Sequence, residues 1–316
     1  MPVSVERERV RFAGGDTECA AWHYPGTNGM CVVMAGGVAV TKEPGTDRFA
    51  QRFNEAGFAV LAFDFRRMGE SGGRPRQVVR IKEQLADWEA ALGFAAGLPD
   101  VDPELLVAWG FSLSGGHVLR IAERNPRLAA AIAQSPLVDG RAAAPNALRH
   151  MTPLALLRLF GRGVADGLGG LIGRPPLLVP TAGTRGTVAC LTTPDAMDAT
   201  RALDPDGRYP DWQQEVAARY VLGAGFYRPG RVASRVRCPL LVVAGEQDRS
   251  ALPGPAVSAA QQAPRGELVL LPGGHYGSFL DVHEQAVEAE LSFLRRRLTE
   301  LRQGDRTTPA GLDSGR

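Results

Sequence analysis

A serine in a tight turn is the residue with the clearest capacity for chemistry. The segment Gly-Phe-Ser-Leu-Ser, 110–114, follows the apolar run 105–109 and precedes a helix-like segment, 117–123. This pattern is typical of a nucleophile elbow, G-x-S-x-G, with Ser114 where the second glycine usually stands. Such a turn places the Ser112 hydroxyl at the N-terminus of a helix, where developing negative charge is favoured. The expected chemistry is nucleophilic attack on an acyl carbonyl.

An acid and a histidine follow two later strands. Asp248 comes after the buried run 240–244, and His275 comes after the run 268–271 through a Pro-Gly-Gly approach. The chain order serine, acid, histidine is that of serine hydrolases built on an α/β sheet. We predict that Asp248 orients His275 and that His275 activates Ser112.

Two other residues are alternatives for these roles. Asp139 follows the strand before a Gly- and Pro-rich block and is an alternative acid. Ser114 is an alternative nucleophile, although the elbow would then lack a glycine at its first position. The remaining histidines and Asp281 are expected to pack, to cap helices or to face solvent.

The elements that must position these residues alternate in type. The pattern predicts a hairpin over 6–24, helices over 48–56 and 81–96, a last helix ending at Arg296, and strands over 30–35, 58–63, 105–109, 128–134, 239–244 and 268–271. Strands that alternate with helices favour an α/β fold, a mostly parallel sheet with helices on both faces. Ligands bind such sheets at the carboxyl ends of the strands.

The alternation of predicted strands and helices stops for about a hundred residues, from position 139 to about position 237. Glycine and proline are frequent there, and the predicted helices are short. We predict four parts: 1–138 as the first part of the core, 139–237 as an inserted, mainly helical cap, 238–300 as the rest of the core, and 301–316 as a flexible tail.

Composition excludes several classes of function. The formal net charge is +2 and the arginines are scattered among acids, which gives no surface for nucleic acid. The four cysteines are far apart and the N-terminus lacks an apolar signal segment, which favours a cytoplasmic protein. The most apolar stretch, 151–172, is interrupted by charges and glycines, so no membrane span is expected. A homodimer is compatible with the sequence.

Taken together, these motifs resemble the α/β-hydrolase fold. They are Ala-Gly-Gly-Val at 35–38, Asp-Phe-Arg-Arg-Met-Gly-Glu-Ser-Gly-Gly at 64–73, the elbow at 110–116, Gly-Glu-Gln-Asp at 245–248 and Gly-Gly-His at 273–275. The chain is similar over about residues 6–298 to capped bacterial hydrolases near the dienelactone and X-Pro dipeptidyl-peptidase-like groups. Polyketide-tailoring hydrolases and transferases are similar too.

The resemblance implies an oxyanion hole formed by the backbone N–H groups of Val38 and Leu113. One departure is the pair Gly36-Gly37, which stands where the family usually has His-Gly and implies a less braced loop. No cofactor or metal is implied, because dinucleotide and metal-ligand spacings are lacking.

Three functions remain open at this point. The first is hydrolysis of a carboxylic ester or thioester, and the second is acyl or polyketide transfer or cyclisation with the same triad. The third is non-catalytic ligand binding on the hydrolase fold. The expected substrate is a small acyl compound, apolar or polyketide-like. Apolar residues in 154–160 either line its pocket or form the cap's own core: Leu154, Leu156, Leu157, Leu159 and Phe160.

Overall fold

An eight-stranded sheet forms the centre of the fold. The structure, a computed structural model, describes residues 6–307, without the side chains of residues 144, 148 and 304–307. The strands are β1 (Glu8–Gly14), β2 (Thr17–Tyr24), β3 (Gly29–Ala35), β4 (Ala59–Phe63), β5 (Val101–Phe111), β6 (Ala130–Gln134), β7 (Leu178–Pro180), β8 (Glu215–Ala217), β9 (Leu240–Gly245) and β10 (Gly266–Leu271). The order across the sheet is β1-β2-β4-β3-β5-β6-β9-β10, and β7 and β8 pair separately.

The sheet is mostly parallel, as the alternation of elements predicts. Only the pairings of β1 with β2 and of β2 with β4 are antiparallel within the described part of the main sheet. All the pairings from β4 to β10 are parallel. The carboxyl ends of β5, β9 and β10 therefore lie at the same edge, which brings their following loops together.

Helices cover both faces of this sheet. They are α1 (Thr46–Glu55), α2 (Ile81–Ala95), α3 (Leu113–Arg124), α4 (Gly140–His150), α5 (Pro153–Leu171), α6 (Ala199–Leu203), α7 (Tyr220–Ala224), α8 (Pro253–Gln262) and α9 (His283–Thr307). Strand β3 shows why both faces need cover. Its alternate residues Cys31 and Val33 pack with α2 and α3, whereas Met30 and Val32 pack with α1 and α9. Every one of these strand residues is buried.

The segment between β6 and β9 carries α4 to α7 and the small sheet of β7 and β8. Two 3₁₀ helices, Pro194–Asp198 and Pro229–Arg235, belong to it as well. The second of these returns to the core, where Val232 and Ala233 are buried against the same face as α3.

The last helix is longer than the sequence indicates. It continues through Thr307 rather than ending at Arg296, so residues 301–307 of the predicted flexible tail are helical. Residues 308–316 of that tail lie outside the described part of the chain. Among the described helices, none has the length and apolar character needed to cross a membrane.

Candidate active site

The turn between β5 and α3 has the geometry of a nucleophile elbow. Ser112 has φ 56° and ψ −114°, a conformation that is costly for any residue with a side chain. The backbone of the turn passes so close to its neighbours that a Cβ atom at Gly110 would overlap the Ser114 carbonyl oxygen. A Cβ atom at Gly115 would lie 2.9 Å from Pro136 Cβ. Small residues at both positions are therefore a steric requirement of the turn.

The structure brings the three residues of the predicted triad together. His275 Nε2 lies 3.0 Å from Ser112 Oγ, and His275 Nδ1 lies 2.8 Å from Asp248 Oδ2. A carboxylate can only accept, so the proton is assigned to Nδ1, and Nε2 is then free to accept from the serine hydroxyl. The loops that carry Asp248 and His275 pass so closely that a Cβ atom at Gly245 would lie 2.7 Å from two carbonyl oxygens of the His275 loop.

Asp248 is held firmly by its own turn. Its Oδ1 accepts hydrogen bonds from the backbone N–H groups of Ser250, at 2.9 Å, and Ala251, at 2.7 Å. The second oxygen is thereby left to His275 in one fixed orientation. Both side chains of this pair, Asp248 and His275, are almost fully buried.

The electrostatics of the site stabilise the charged form of His275 once it has accepted a proton. Burial of the ring acts to lower the pKa of His275, but the charge and hydrogen bond of Asp248, assisted by the charge of Asp195, raise it above its usual value. An imidazolium formed when His275 accepts the proton of Ser112 is therefore stabilised in place.

A second carboxylate, Asp195, touches both loops of the triad. It lies on the 3₁₀ helix Pro194–Asp198 of the segment between β6 and β9. Its Oδ2 accepts from the backbone N–H groups of Arg249, at 2.7 Å, and His275, at 3.1 Å. Its Oδ1 accepts from the Ser250 hydroxyl at 2.8 Å. The sequence gives no sign of this residue's position, since its partners are more than fifty positions away and no local pattern links them.

The residues of the predicted oxyanion hole line the same cavity as Ser112. Leu113 is the first residue of α3, so its N–H has no partner within the helix. Val38 lies in a turn in which the Val40 N–H donates a hydrogen bond to the Gly37 carbonyl at 3.2 Å. Both Val38 and Leu113 line the cavity that holds the Ser112 side chain.

The loop that carries Val38 is braced, contrary to the expectation from Gly36-Gly37. The indole N–H of Trp212, from the segment between β6 and β9, donates to the Ala39 carbonyl at 2.7 Å. At the end of the loop, Lys42 N–H donates to Asp64 Oδ1 at 2.7 Å. Gly36 has no room for a side chain, since a Cβ atom there would lie 2.6 Å from Val40 Cγ1. Residues distant in the sequence thus brace a loop whose own residues are too small to do so.

An apolar cavity of about 570 Å³ opens beside the triad. Leu156, Leu159 and Phe160 of α5 line one wall, as one of the two interpretations of this stretch predicts. Leu154 and Leu157 are not part of that wall, since they are 55% and 70% exposed on the outer side of the helix.

The alternative candidates Asp139 and Ser114, and the nearby His117, take no part in these triad contacts. Asp139 caps α4 by accepting from Arg141 N–H at 2.9 Å, and it pairs with Arg228 at 2.8 Å. Ser114 is fully buried, and its hydroxyl has no hydrogen-bond partner among the described residues. His117 lies beneath the elbow between the Tyr227 hydroxyl and Gln84, at 2.7 and 3.0 Å.

Comparisons with known proteins agree with this architecture. The quorum-quenching protein AidA of Acinetobacter baumannii is 37% identical over 292 residues, which cover 91% of this chain and 94% of that protein. A polyketide transferase of Stachybotrys chlorohalonatus is 33% identical over 182 residues, or 57% of this chain and 58% of that protein.

Solved structures show the fold. The α/β hydrolase GrgF from Penicillium superposes with a TM-score of 0.76 at 22% identity, covering 93% of this chain and 99% of that chain. An esterase of Pyrococcus furiosus superposes with a TM-score of 0.61 at 16% identity, covering 93% of this chain and 94% of that chain. The family model described as serine aminopeptidase, S33, matches residues 28–281. The chain therefore belongs to the serine aminopeptidase S33 family and has the α/β-hydrolase fold.

Proposed function

We propose that this protein is a serine hydrolase that cleaves a carboxylic ester or thioester through an acyl-enzyme. The observation that carries the proposal is the continuous contact from Ser112 Oγ to His275, at 3.0 Å, and from His275 to Asp248, at 2.8 Å. This relay ends in an apolar cavity large enough for a small organic substrate.

In the first half of the reaction, Ser112 Oγ attacks the acyl carbonyl carbon. His275 Nε2 takes the hydroxyl proton and later delivers it to the leaving alcohol or thiol. Asp248 keeps the imidazole in the required tautomer and stabilises its charge. The oxyanion lies between the N–H groups of Val38 and Leu113, each worth on the order of 10²–10³ in rate at comparable sites.

In the second half, a water molecule attacks the acyl-enzyme. His275 removes a proton from this water, and the tetrahedral intermediate collapses with return of the proton to Ser112. The products are a carboxylic acid and the regenerated enzyme.

The lining of the cavity supports an apolar acyl group. It is made mostly of aliphatic and aromatic side chains, and the described lining residues include no aspartate or glutamate. An aminopeptidase needs a carboxylate to hold the substrate ammonium group, so the lining favours an ester or thioester over a peptide N-terminus. Arg141 contributes the one arginine side chain among the described lining residues.

We further propose that residues 139–237 act as a cap. They supply most of the wall opposite the triad, including residues of α5 and α7. They also supply Trp212, which contacts the loop of Val38, and Asp195, which contacts the loops of Asp248 and His275. Substrate selection and catalytic geometry would therefore depend on the same segment.

Acyl transfer to an acceptor other than water is the second candidate. Similarity to a polyketide transferase and the low polarity of the cavity support it, since an apolar cavity holds little water. The ratio of hydrolysed to transferred product, measured with an added alcohol or amine, separates the two. Transfer predicts that the acceptor product dominates at millimolar acceptor, whereas hydrolysis predicts free acid.

The proposal is tested by a pair of serine variants assayed on p-nitrophenyl esters and acyl thioesters. Ser112→Ala is expected to lose at least about 10³-fold in kcat with an unchanged melting temperature. Ser114→Ala is the matched control and is expected to keep most of its activity. Full activity in Ser112→Ala would contradict the proposed mechanism. Wild-type protein that binds these esters without turnover would favour the non-catalytic binding function.

A further inference from the structure

The outer side of α5 carries an apolar stripe that faces solvent. Its members recur at alternating intervals of three and four positions: Leu154, Leu157, Gly161, Val164, Leu168 and Leu171. The five large side chains of this stripe are between 49% and 82% exposed. Alternating intervals of three and four, which repeat every seven residues, are those of a seam between two packed helices.

The inner side of α5 already has its partners within the molecule. Ala155, Leu159 and Gly163 are buried there. Asp166, the single acidic residue of the helix, forms a buried ion pair with Arg219 at 2.7 Å. The stripe is therefore a second apolar surface, on the side of the helix that faces away from the protein.

The stripe is complementary to itself under a twofold axis. If a second α5 lies antiparallel across an axis between Gly161 and Val164, each stripe residue meets a partner of suitable size. Leu154 then lies opposite Leu171, Leu157 opposite Leu168, and Gly161 opposite Val164. This reciprocal pairing is the defining property of an isologous interface. A Cβ atom added at Gly161 would meet no other atom within 4 Å, which leaves room for the close approach of the second helix.

The size of the surface is adequate for association. With Ile172, which is 70% exposed beside it, the stripe forms an apolar patch on the order of 600 Å². Two such patches together reach about 1,200 Å², the lower limit for a stable protein interface. Leu156, Leu159 and Phe160 of the same helix line the substrate cavity, so the interface would lie directly behind its wall.

We propose that α5 is the dimerisation helix of this protein and that a second copy of the chain covers its stripe in antiparallel orientation. A lipid surface fits less well. Interfacial helices carry basic residues along the polar side, whereas here Arg158 and Arg162 lie along one edge only and the other edge is formed by Phe160 and Gly167. An alternating spacing of three and four residues is typical of a seam between paired helices, whereas lipid contact needs no such spacing.

The proposal is tested with the full chain by sedimentation velocity across a range of protein concentrations. Wild-type protein is expected to reach twice the monomer mass of 33.7 kDa. The double variant Leu157→Glu, Leu168→Glu is expected to weaken dimerisation at least about 100-fold, because it would place four carboxylates in the apolar seam. Both side chains are exposed in the monomer, so the variant is expected to fold.

A charge-swap variant tests the register itself. Leu157→Glu combined with Leu168→Arg brings opposite charges together across the twofold axis and is expected to recover much of the lost affinity. Leu301→Glu, at a partly exposed leucine of α9, is the matched control and is expected to dimerise like wild type.

Three results would overturn the proposal. The first is a wild-type protein that stays monomeric at every concentration. The second is a dimer that survives Leu157→Glu, Leu168→Glu, which would place the interface elsewhere. The third is a monomer that cosediments with vesicles of phosphatidylglycerol and phosphatidylcholine, which would assign the stripe to a lipid surface.

Discussion

Two individual carboxylates act on one histidine, and they come from different parts of the chain. Asp248 is a neighbour of the triad histidine in the fold core, whereas Asp195 reaches it from the segment between β6 and β9. The pKa of Asp195 is lowered: burial acts to raise it, but the Arg249 amide, the charge of His275 and the Ser250 hydroxyl outweigh that effect. It is therefore ionised at neutral pH and adds to the negative field at the imidazole.

We expect Asp195→Asn to shift the pH profile. His275 must be neutral to act as a base, so the activity of the wild type falls as the pH drops through its raised pKa. Without the charge of Asp195, this pKa falls, and the acidic limb of kcat/KM moves to lower pH. The amide oxygen of the substituted side chain can still accept from the backbone N–H groups of Arg249 and His275, so kcat at the pH optimum should fall by less than about 10-fold. Asp206→Asn, at an exposed acid, is the control; an unmoved acidic limb in Asp195→Asn would limit this residue to a structural role.

Substitution of the triad acid Asp248 should reduce kcat far more than Asp195→Asn does. Asp248→Asn is expected to reduce kcat by about 10⁴-fold, because the amide favours the wrong tautomer of His275. Asp139→Asn should leave kcat nearly unchanged and cost at most about 1 kcal/mol of stability through the lost ion pair with Arg228, since asparagine caps a helix as well as aspartate does. Kinetics and urea denaturation of the two variants check both statements. The reverse ranking in kcat would make Asp139 the acid.

Among the secondary-structure elements, the loop after β3 depends on a residue of the distant segment. The Ala39 carbonyl receives its hydrogen bond from Trp212, so the position of the Val38 N–H is tied to the segment between β6 and β9. Ala39 itself has φ 53°, a conformation that L-residues adopt only when the surroundings hold it.

Trp212→Phe should impair the chemical step more than folding. It removes the indole N–H but keeps an aromatic ring, so we expect kcat to fall about 10-fold while the melting temperature changes little. Trp22→Phe is a matched control, because that indole N–H donates to the Glu43 side chain and not to the turn at 37–40. An equal loss in both variants would show that the effect is not specific to the oxyanion loop.

The elements differ in how well the sequence predicts them. The elbow, β9 with Asp248 and β10 with His275 could be predicted, because each is a short apolar run followed by characteristic turn residues. The contacts of Asp195 and Trp212 could not, because the intervening segment has no regular period and its position is set by tertiary packing. The extension of α9 beyond Arg296 differs from these contacts, because Leu298 and Leu301 continue the spacing of Leu291 and Leu294. Only the polar residues after Leu301 lack an apolar pattern.

Across the molecule as a whole, a buried acid links the sheet to the last helix. Glu290 of α9 is fully buried and accepts a hydrogen bond from the Trp109 indole N–H of β5 at 2.9 Å. Burial raises the pKa of Glu290 to about 8. The folded protein therefore holds a proton on Glu290 at neutral pH that the unfolded chain has released.

This proton makes stability depend on pH. The folded pKa is raised, so the stabilising contribution is complete below the unfolded pKa of 4.5 and is lost as the pH rises toward 8. Between these values, the slope reaches at most about 1.4 kcal/mol per pH unit. Glu290→Gln should remove this pH dependence of the free energy of unfolding. Glu288→Gln, at an exposed position of the same helix, should leave it unchanged. Urea denaturation at pH 5 and pH 8 measures the difference. An equal pH dependence in wild type and Glu290→Gln would contradict the buried-proton interpretation.

The proposed mechanism depends above all on Ser112 being a nucleophile that His275 activates, and covalent labelling reports on this property. The folded protein is treated with a fluorophosphonate probe, digested and mapped by peptide mass spectrometry. We expect a single modified serine, Ser112, and loss of labelling in His275→Ala. Labelling of Ser114, or equal labelling of Ser112 with and without His275, would refute the mechanism.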